Sequence, residues 1–277
     1  MNMESNNDTK RRLSIRLLFV IIPVILAVTF AAYMIVHNNM SYKDAYMENE
    51  KLSGQSNTYS QSKLDDVAKI ENKEPKEVIV VIDPGHGGED LGTCYRDIYE
   101  KNLNLDVSIR LGKLLENNGI KVVYTRTGDE SVELKTRSEI ANNINASLFI
   151  SVHNNNMPDN TNYRGTETLY CLPERTDQHT MDGEKFARIV QEELVKTLGT
   201  IDNGTINRPN LSVLRRTKMP AVIAEIAYLS NSSDRAKITS PEFRQKAAEA
   251  LERAVLKVLA QMKANKDSEG KWVLSNG

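Results

Sequence analysis

The 277-residue chain is 40% hydrophobic and 26% charged with a formal net charge of −1, an ordinary globular composition with room for one large domain or two small ones. That balance gives no electrostatic footprint for nucleic acid, whose grooves need clustered Lys and Arg with interleaved aromatics, so nucleic acid is discounted as a partner. Two cysteines, Cys94 and Cys171, do not make a disulfide framework, and the sequence leaves their pairing open.

Leu17 to Val36 carries no charge. About 20 helical positions at about 1.5 Å each would cross a hydrocarbon core of about 30 Å. Lys10, Arg11, Arg12 and Arg16 precede it, so the positive-inside rule leaves residues 1–16 in the cytoplasm and places the rest outside. The expected protein is anchored in the cell membrane by a single pass over 17–36, with an extracytoplasmic domain. A cleaved signal peptide is the alternative, but its apolar core usually runs about 7–15 residues, and Ala31-Ala32 lies inside the run with Tyr33-Met34-Ile35-Val36 still to come. Residues 37–77 are rich in Asn, Ser, Gln, Lys, Glu and Asp and read as a solvated tether.

The folded domain is expected over 78–262. Val78-Ile79-Val80-Val81-Ile82 reads as a central strand covered on both faces. It stops at Asp83-Pro84-Gly85-His86-Gly87-Gly88, a turn that leaves an imidazole at the sheet rim. Leu103, Val107, Leu111, Leu114 and Leu115 follow helical spacing up to Asn117-Asn118-Gly119. A strand over Ile120–Tyr124, a helix over 134–142 and a strand over 148–152 come next, then a strand over 166–172, a helix over 182–198, a strand over 221–226 and a helix over 241–262. Strands alternating with helices predict one α/β domain with a mostly parallel central sheet flanked by helices. The polar segment 263–277 is expected to fray.

Only four histidines occur, and His86 and His153 both follow apolar strands. In an open α/β sheet ligands gather beyond the carboxyl ends of the strands, so the pair suggests a metal site. Glu225 sits near the end of the apolar run Ala221–Ala227, where an unpaired charge would be costly. A cation, a catalytic role, or a buried ion pair with Arg137 or Arg215 would each explain it. A hydrolytic zinc site needs three protein ligands and an open fourth position. Glu100, at the head of the first helix, is within loop reach of His86, although a first-turn carboxylate is also favoured by the helix dipole. Asp90 reads as a supporting or turn residue, and a Cys94 thiolate would make the site more structural than hydrolytic. His37 lies at the membrane edge and His179 in a polar stretch, and no H-E-x-x-H is present.

With these residues assembled, the chain resembles the zinc-dependent N-acetylmuramoyl-L-alanine amidases, bacterial cell-wall hydrolases with a compact α/β catalytic domain. The resemblance runs through Asp83–Gly88 with Asp90, Glu100-Lys101, Thr125-Arg126 with Asp129, Arg137, Phe149-Ile150-Ser151 with His153 and Asn155, Gly165-Thr166-Glu167, Val213-Leu214-Arg215, Met219-Pro220-Ala221, Glu225 and Leu229-Ser230-Asn231. It implies that His86, Glu100 and His153 bind Zn2+, that Glu225 is the catalytic carboxylate, and that peptidoglycan is the substrate. With no wall-binding repeats and a single anchor, the chain looks most like the small amidases of the spore cortex. It departs from the family at Asn156 and at Ile226-Ala227-Tyr228, beside the expected site. A zinc peptidase acting within the stem peptide and a non-catalytic peptidoglycan-binding protein are the competing readings, and an activating protein partner is compatible with every residue named.

Overall fold

The computed structural model describes residues 75–172 and 181–275. The expected anchor at 17–36, most of the tether, His37 and His179 lie outside the described residues, among which no helix is long and apolar enough to cross a membrane.

In chain order the strands are β1 (Lys76–Glu77), β2 (Ile79–Pro84), β3 (Cys94–Tyr95), β4 (Ile98–Tyr99), β5 (Lys121–Tyr124), β6 (Leu148–Asn155), β7 (Thr166–Tyr170), β8 (Asp202–Asn207), β9 (Ala221–Tyr228), β10 (Ala264–Lys266) and β11 (Trp272–Leu274). The helices are α1 (Glu100–Asn117), α2 (Leu134–Asn143), α3 (Gly183–Leu198), α4 (Ser212–Arg216), α5 (Ser232–Ile238) and α6 (Pro241–Gln261). Six strands form the central sheet in the order β5-β2-β6-β9-β7-β8. Pairings β5–β2, β2–β6, β6–β9 and β7–β8 are parallel, whereas β7 runs antiparallel to β9. The sheet is therefore mixed. The mostly parallel expectation holds for four neighbouring strands and fails at the β9–β7 seam.

Alternation along the strands divides the core between the two faces, because successive side chains of a strand point opposite ways. Val80, Ile82, Leu148, Ile150, Val152, Val222, Ala224 and Ile226 pack with α1, α3 and α6 in the larger cluster. Val81, Phe149, Leu169, Ala221 and Ile223 join Ala141 of α2 and Val213 and Leu214 of α4 in the smaller one. The same parity places Asp83, His153, Glu167 and Glu225 on the α2/α4 face. Short helices cover it only partly, so its carboxyl rim is the one place where polar side chains can leave the sheet without displacing core.

The helices follow from local sequence. Helix α3 is closed at its start by Asp182, whose side chain accepts from the Lys185 N–H, and at its end by left-handed Gly199. Helix α6 begins at Ser240 with Pro241 in its first turn. Helix α1 lacks a side-chain cap because its N-cap residue is Tyr99, whose phenol cannot accept from the first-turn N–H groups as a short Ser, Thr, Asp or Asn side chain does.

The two ends of the domain differ from expectation. Residues 76–77, assigned to the tether, pair with β11, and β11 pairs with β10, so 263–275 is folded rather than frayed. Trp272 and Leu274 pack against the main core. The Trp272 indole donates to Asn118 O at 2.9 Å, the Val78 N–H donates to Trp272 O at 2.8 Å, and Asp267 Oδ1 accepts the N–H groups of Glu269 and Lys271. Two apolar side chains in a polar stretch are enough to dock a hairpin once a helix end offers an acceptor.

Candidate metal centre

His86, Glu100 and His153 come together, each offering one ligand atom, and these atoms all lie within 4.8 Å of one another. His86 Nε2 is 3.2 Å and His153 Nδ1 is 3.1 Å from Glu100 Oε1. His86 Nδ1 donates to Asp90 Oδ2 at 2.8 Å. This fixes the ring and directs Nε2 to the centre, as a carboxylate does behind a metal-binding imidazole. Asp90 thus has the supporting place expected of it, whereas Cys94 is exposed, stays outside the group and, like Cys171, is a free thiol.

Glu100 is buried. Burial disfavours its charge, but the facing histidines outweigh that and hold its carboxyl well below the usual range. Oε1 also accepts from the Asn154 N–H and from Asn104 Nδ2, and Oε2 accepts from the Thr93 N–H. Burial likewise works against charge on His86, yet Glu100 and Asp90 raise its pKa to about 9, and Glu100 raises that of His153. An anionic oxygen facing two imidazole nitrogens in a pocket is a donor set suited to a dication.

The turn that carries His86 is held from below by three cations. His86 has φ 62°, an uncommon conformation for a residue with a Cβ. Arg137 Nη1 donates to Pro84 O and Asp83 Oδ1, and Arg137 Nη2 to His86 O. Arg126 donates to Pro84 O, Gly85 O and Lys101 O, while Lys101 Nζ reaches Gly88 O and Asp129. Thr125 and Ser151 complete the shell of Asp83. Each carbonyl from Pro84 to Gly88 has a charged donor or, at Gly87, the Asp90 N–H.

The glycines of the turn make room for the imidazoles. A Cβ on Gly85 would lie 2.2 Å from His153 Nε2, and one on Gly92 would lie 2.6 Å from His86 Cδ2 and 2.7 Å from Glu100 Oε2. Gly85→Ala should therefore tilt His153 away from Glu100 and weaken metal binding by about 10–100-fold, the range seen when a ligand loses its orientation. Competition with a chromophoric chelator measures this, and an unchanged affinity would show that the close approach is not needed.

Glu225 lies opposite His153 across β6–β9 and opposite Glu167 across β9–β7. Its Oε2 is buried without a hydrogen-bond partner. The ion pair offered as an alternative is absent: Arg137 is committed to Asp83, and Arg215 donates to Pro209 O and Asn210 O. Burial, with smaller contributions from Glu100 and Glu167 against the opposing pull of His153 and His86, raises the Glu225 carboxyl to about 7. A cation at the triad would draw it down again.

Residues 80–257 match the family model described as N-acetylmuramoyl-L-alanine amidase. The chain belongs to the N-acetylmuramoyl-L-alanine amidase family. It is 33% identical over 172 residues to N-acetylmuramoyl-L-alanine amidase LytC of Bacillus subtilis, covering 62% of this chain and 34% of that protein. The solved N-acetylmuramoyl-L-alanine amidase of Clostridium difficile 630 aligns with TM-score 0.62 and 34% identity over 67% of this chain and 98% of that one. The CwlD amidase of Clostridioides difficile, solved in complex with the GerS lipoprotein, aligns with TM-score 0.61 and 28% identity over 66% and 99%. The family match thus ends close to the sheet and helices described above, and the β1–β10–β11 sheet falls outside it.

Within this amidase domain, Glu167, named from sequence only as part of the Gly165-Thr166-Glu167 block, takes a place beside the site for which the sequence assigns it no role. Glu167 Oε1 accepts from Asn155 Nδ2 at 2.6 Å, and its Oε2 accepts from the Tyr228 hydroxyl at 3.0 Å. Tyr228, one of the family departures, is thereby tied to the carboxylate beside Glu225. A charged residue in the otherwise uncharged run Thr-Glu-Thr-Leu-Tyr was the available signal. It pointed nowhere until the antiparallel seam brought the start of β7 to the rim where β6 and β9 end.

Proposed function

We propose that the domain hydrolyses the amide between the lactyl group of N-acetylmuramic acid and L-alanine of the peptidoglycan stem peptide, with a zinc ion held by His86, Glu100 and His153. The observation that carries the reading is the convergence of these three side chains next to a buried carboxylate oxygen that lacks a partner. When bound there, zinc supplies a Lewis acid that polarises the amide carbonyl and makes water acidic enough to react near neutral pH.

Glu225 acts as the proton carrier. Its carboxylate takes a proton as water oxygen bonds to the lactyl carbonyl carbon, and returns it to the alanine nitrogen as the C–N bond breaks. Atoms balance as one water consumed, one lactyl carboxylic acid and one alanine amine formed. Asp90 keeps the tautomer of His86, while Arg126 and Arg137 keep the ligand turn in place. Asn155 and Tyr228 hold Glu167 by hydrogen bonds beside Glu225, and that neighbouring carboxylate favours the proton on Glu225 in the interval between its uptake from water and its transfer to the leaving nitrogen.

The experiment is chelation, restoration with zinc, and product analysis on purified sacculi. Zinc-dependent appearance of new alanine amino termini supports the amidase; new amino termini on later stem residues would instead indicate a stem peptidase.

We further propose that residues 17–36 anchor the protein with its catalytic domain outside the cell, on the strength of Lys10–Arg16 before an uncharged segment. Protease digestion of spheroplasts tests it, with loss of the catalytic domain expected. Spore-cortex work is the favoured setting, since the relatives include a sporulation-specific amidase of Bacillus subtilis at 31% identity. An activating lipoprotein partner is in keeping with the CwlD–GerS complex.

A further inference from the structure

Two clefts lie on either side of Leu211, one reaching the metal centre and the other reaching Glu225 beside it, and they differ in chemistry. One, of about 350 Å³, exposes His86 and His153 and is walled by Val132, Leu134, Val213 and Ile223. Its rim acids, Asp90 and Glu133, give it no free cation, because Arg137 is bound to Asp83. The other, of about 390 Å³, holds Glu225 with Asn155, Tyr163, Glu167, Tyr228 and Arg208. Leu211 lines both.

The side on which the peptide lies follows from the proton path, and to that extent the inference rests on the function proposed above. A carboxylate that returns its proton to the leaving nitrogen must be within hydrogen-bond reach of it. The stem peptide therefore leaves through the cleft that contains Glu225, and the neutral lactyl and sugar groups lie toward the other.

Arg208 stands in that peptide cleft directly after β8. Its side chain is exposed, and no hydrogen bond or ion pair engages its guanidinium among the described residues. Its backbone, by contrast, is fixed. The Arg208 N–H donates to Tyr170 O at 2.7 Å, Arg208 O accepts from the Leu211 N–H at 3.1 Å, and Arg215 Nη1 reaches the carbonyls of Pro209 and Asn210. A free guanidinium carried on a pinned loop is available to a planar anion without first breaking an ion pair. The carboxylates that share the cleft do not quench it: Glu167 is engaged by Asn155 and Tyr228, and Glu225 is half-buried beside His153 with its Oε2 turned inward.

We infer that Arg208 is a specificity residue that binds a carboxylate of the stem peptide beyond its first alanine, so that the enzyme reads the free acid of the second residue in preference to its amide. The chemical class is an acidic peptide on the leaving-group side. A carboxamide in the same place offers one acceptor oxygen without charge and two N–H donors that face a group with only donors.

The test compares two soluble muramoyl peptides that differ only in a carboxylate or carboxamide on the second residue, using zinc-loaded full-length wild-type, Arg208→Gln and Arg208→Lys proteins. Wild type is expected to show a higher kcat/KM on the carboxylate substrate. Arg208→Gln should lose about 10–100-fold on that substrate, the range for a hydrogen bond to a charged group, while changing less than about threefold on the carboxamide, so that the preference disappears. Arg208→Lys should restore part of it. Equal losses on both substrates, or a preference that survives in Arg208→Gln, overturns the assignment. Failure of wild type to cleave either peptide while zinc is bound overturns the catalytic reading and the inference with it.

Discussion

Glu225→Gln is expected to keep its zinc and lose its activity. The amide preserves the size of a side chain that touches no ligand atom, and it removes the uncompensated burial of a carboxylate whose Oε2 has no partner. Stability should therefore hold or rise, since an unsatisfied buried charge is costly and an amide less so. The rate should fall by at least about 10²–10⁴, the usual contribution of a positioned acid–base group. Metal analysis and turnover on one purified sample check both halves. A variant that retained more than about a tenth of wild-type turnover would show that another group carries the proton.

Glu100→Ala is expected to fail in the opposite order, losing metal first and activity as a consequence. The substitution deletes an oxygen shared by His86, His153, Asn104 and the Asn154 N–H, and leaves two imidazoles as the only ligands. Two His ligands fall short of the three that hydrolytic zinc sites use, so occupancy at micromolar zinc should drop below one tenth. Removing a buried acceptor that several donors share also costs stability, on the order of 1–3 kcal/mol for each group left unpaired. Calorimetric unfolding of the two metal-depleted variants should place Glu100→Ala below Glu225→Gln. Full zinc stoichiometry in Glu100→Ala would reverse the two carboxylate roles.

Much of this centre was legible in the sequence because the chain signals where strands end. The runs Val78–Ile82 and Ser147–Val152 stop at Asp83 and His153, the run Ala221–Ala227 carries Glu225 within it, and the period of two then puts His153 and Glu225 on one face. Glu100 was legible through loop length, since a short excursion from His86 must return to the sheet rim. Glu167 was not, because its relevance depends on strand direction: β7 is antiparallel to β9, and nothing in Thr166–Tyr170 states the direction of pairing. The same holds for β8, where Asp202–Asn207 is Asp-Asn-Gly-Thr-Ile-Asn, with Ile206 its one apolar residue, and lacks the pattern of a buried strand. The terminal hairpin was hidden for a different reason. Trp272, Val273 and Leu274 are too few to show periodicity, and Trp272 and Leu274 gain their burial by packing against the main core rather than from a face of their own.

The buried arginines show how strongly tertiary context decides a residue's role. Arg137 was a candidate partner for Glu225, and it instead spends its donors on Asp83 and on the carbonyls that shape the His86 turn. Guanidinium geometry suits that task, since a planar fork can bind several carbonyls and a carboxylate at once. Glu225 is thereby left without a cation of its own, next to a place where three ligands can hold one.

Anomalous diffraction at the zinc absorption edge from crystals of the zinc-loaded protein tests the metal centre most directly. The predicted result is one strong peak at about 2.0–2.2 Å from His86 Nε2, a Glu100 carboxylate oxygen and His153 Nδ1, with Glu225 beside the remaining coordination position. A peak ligated by Asp90 or Cys94 in place of Glu100, or by Glu225 itself, or no peak between the two histidines, would contradict it.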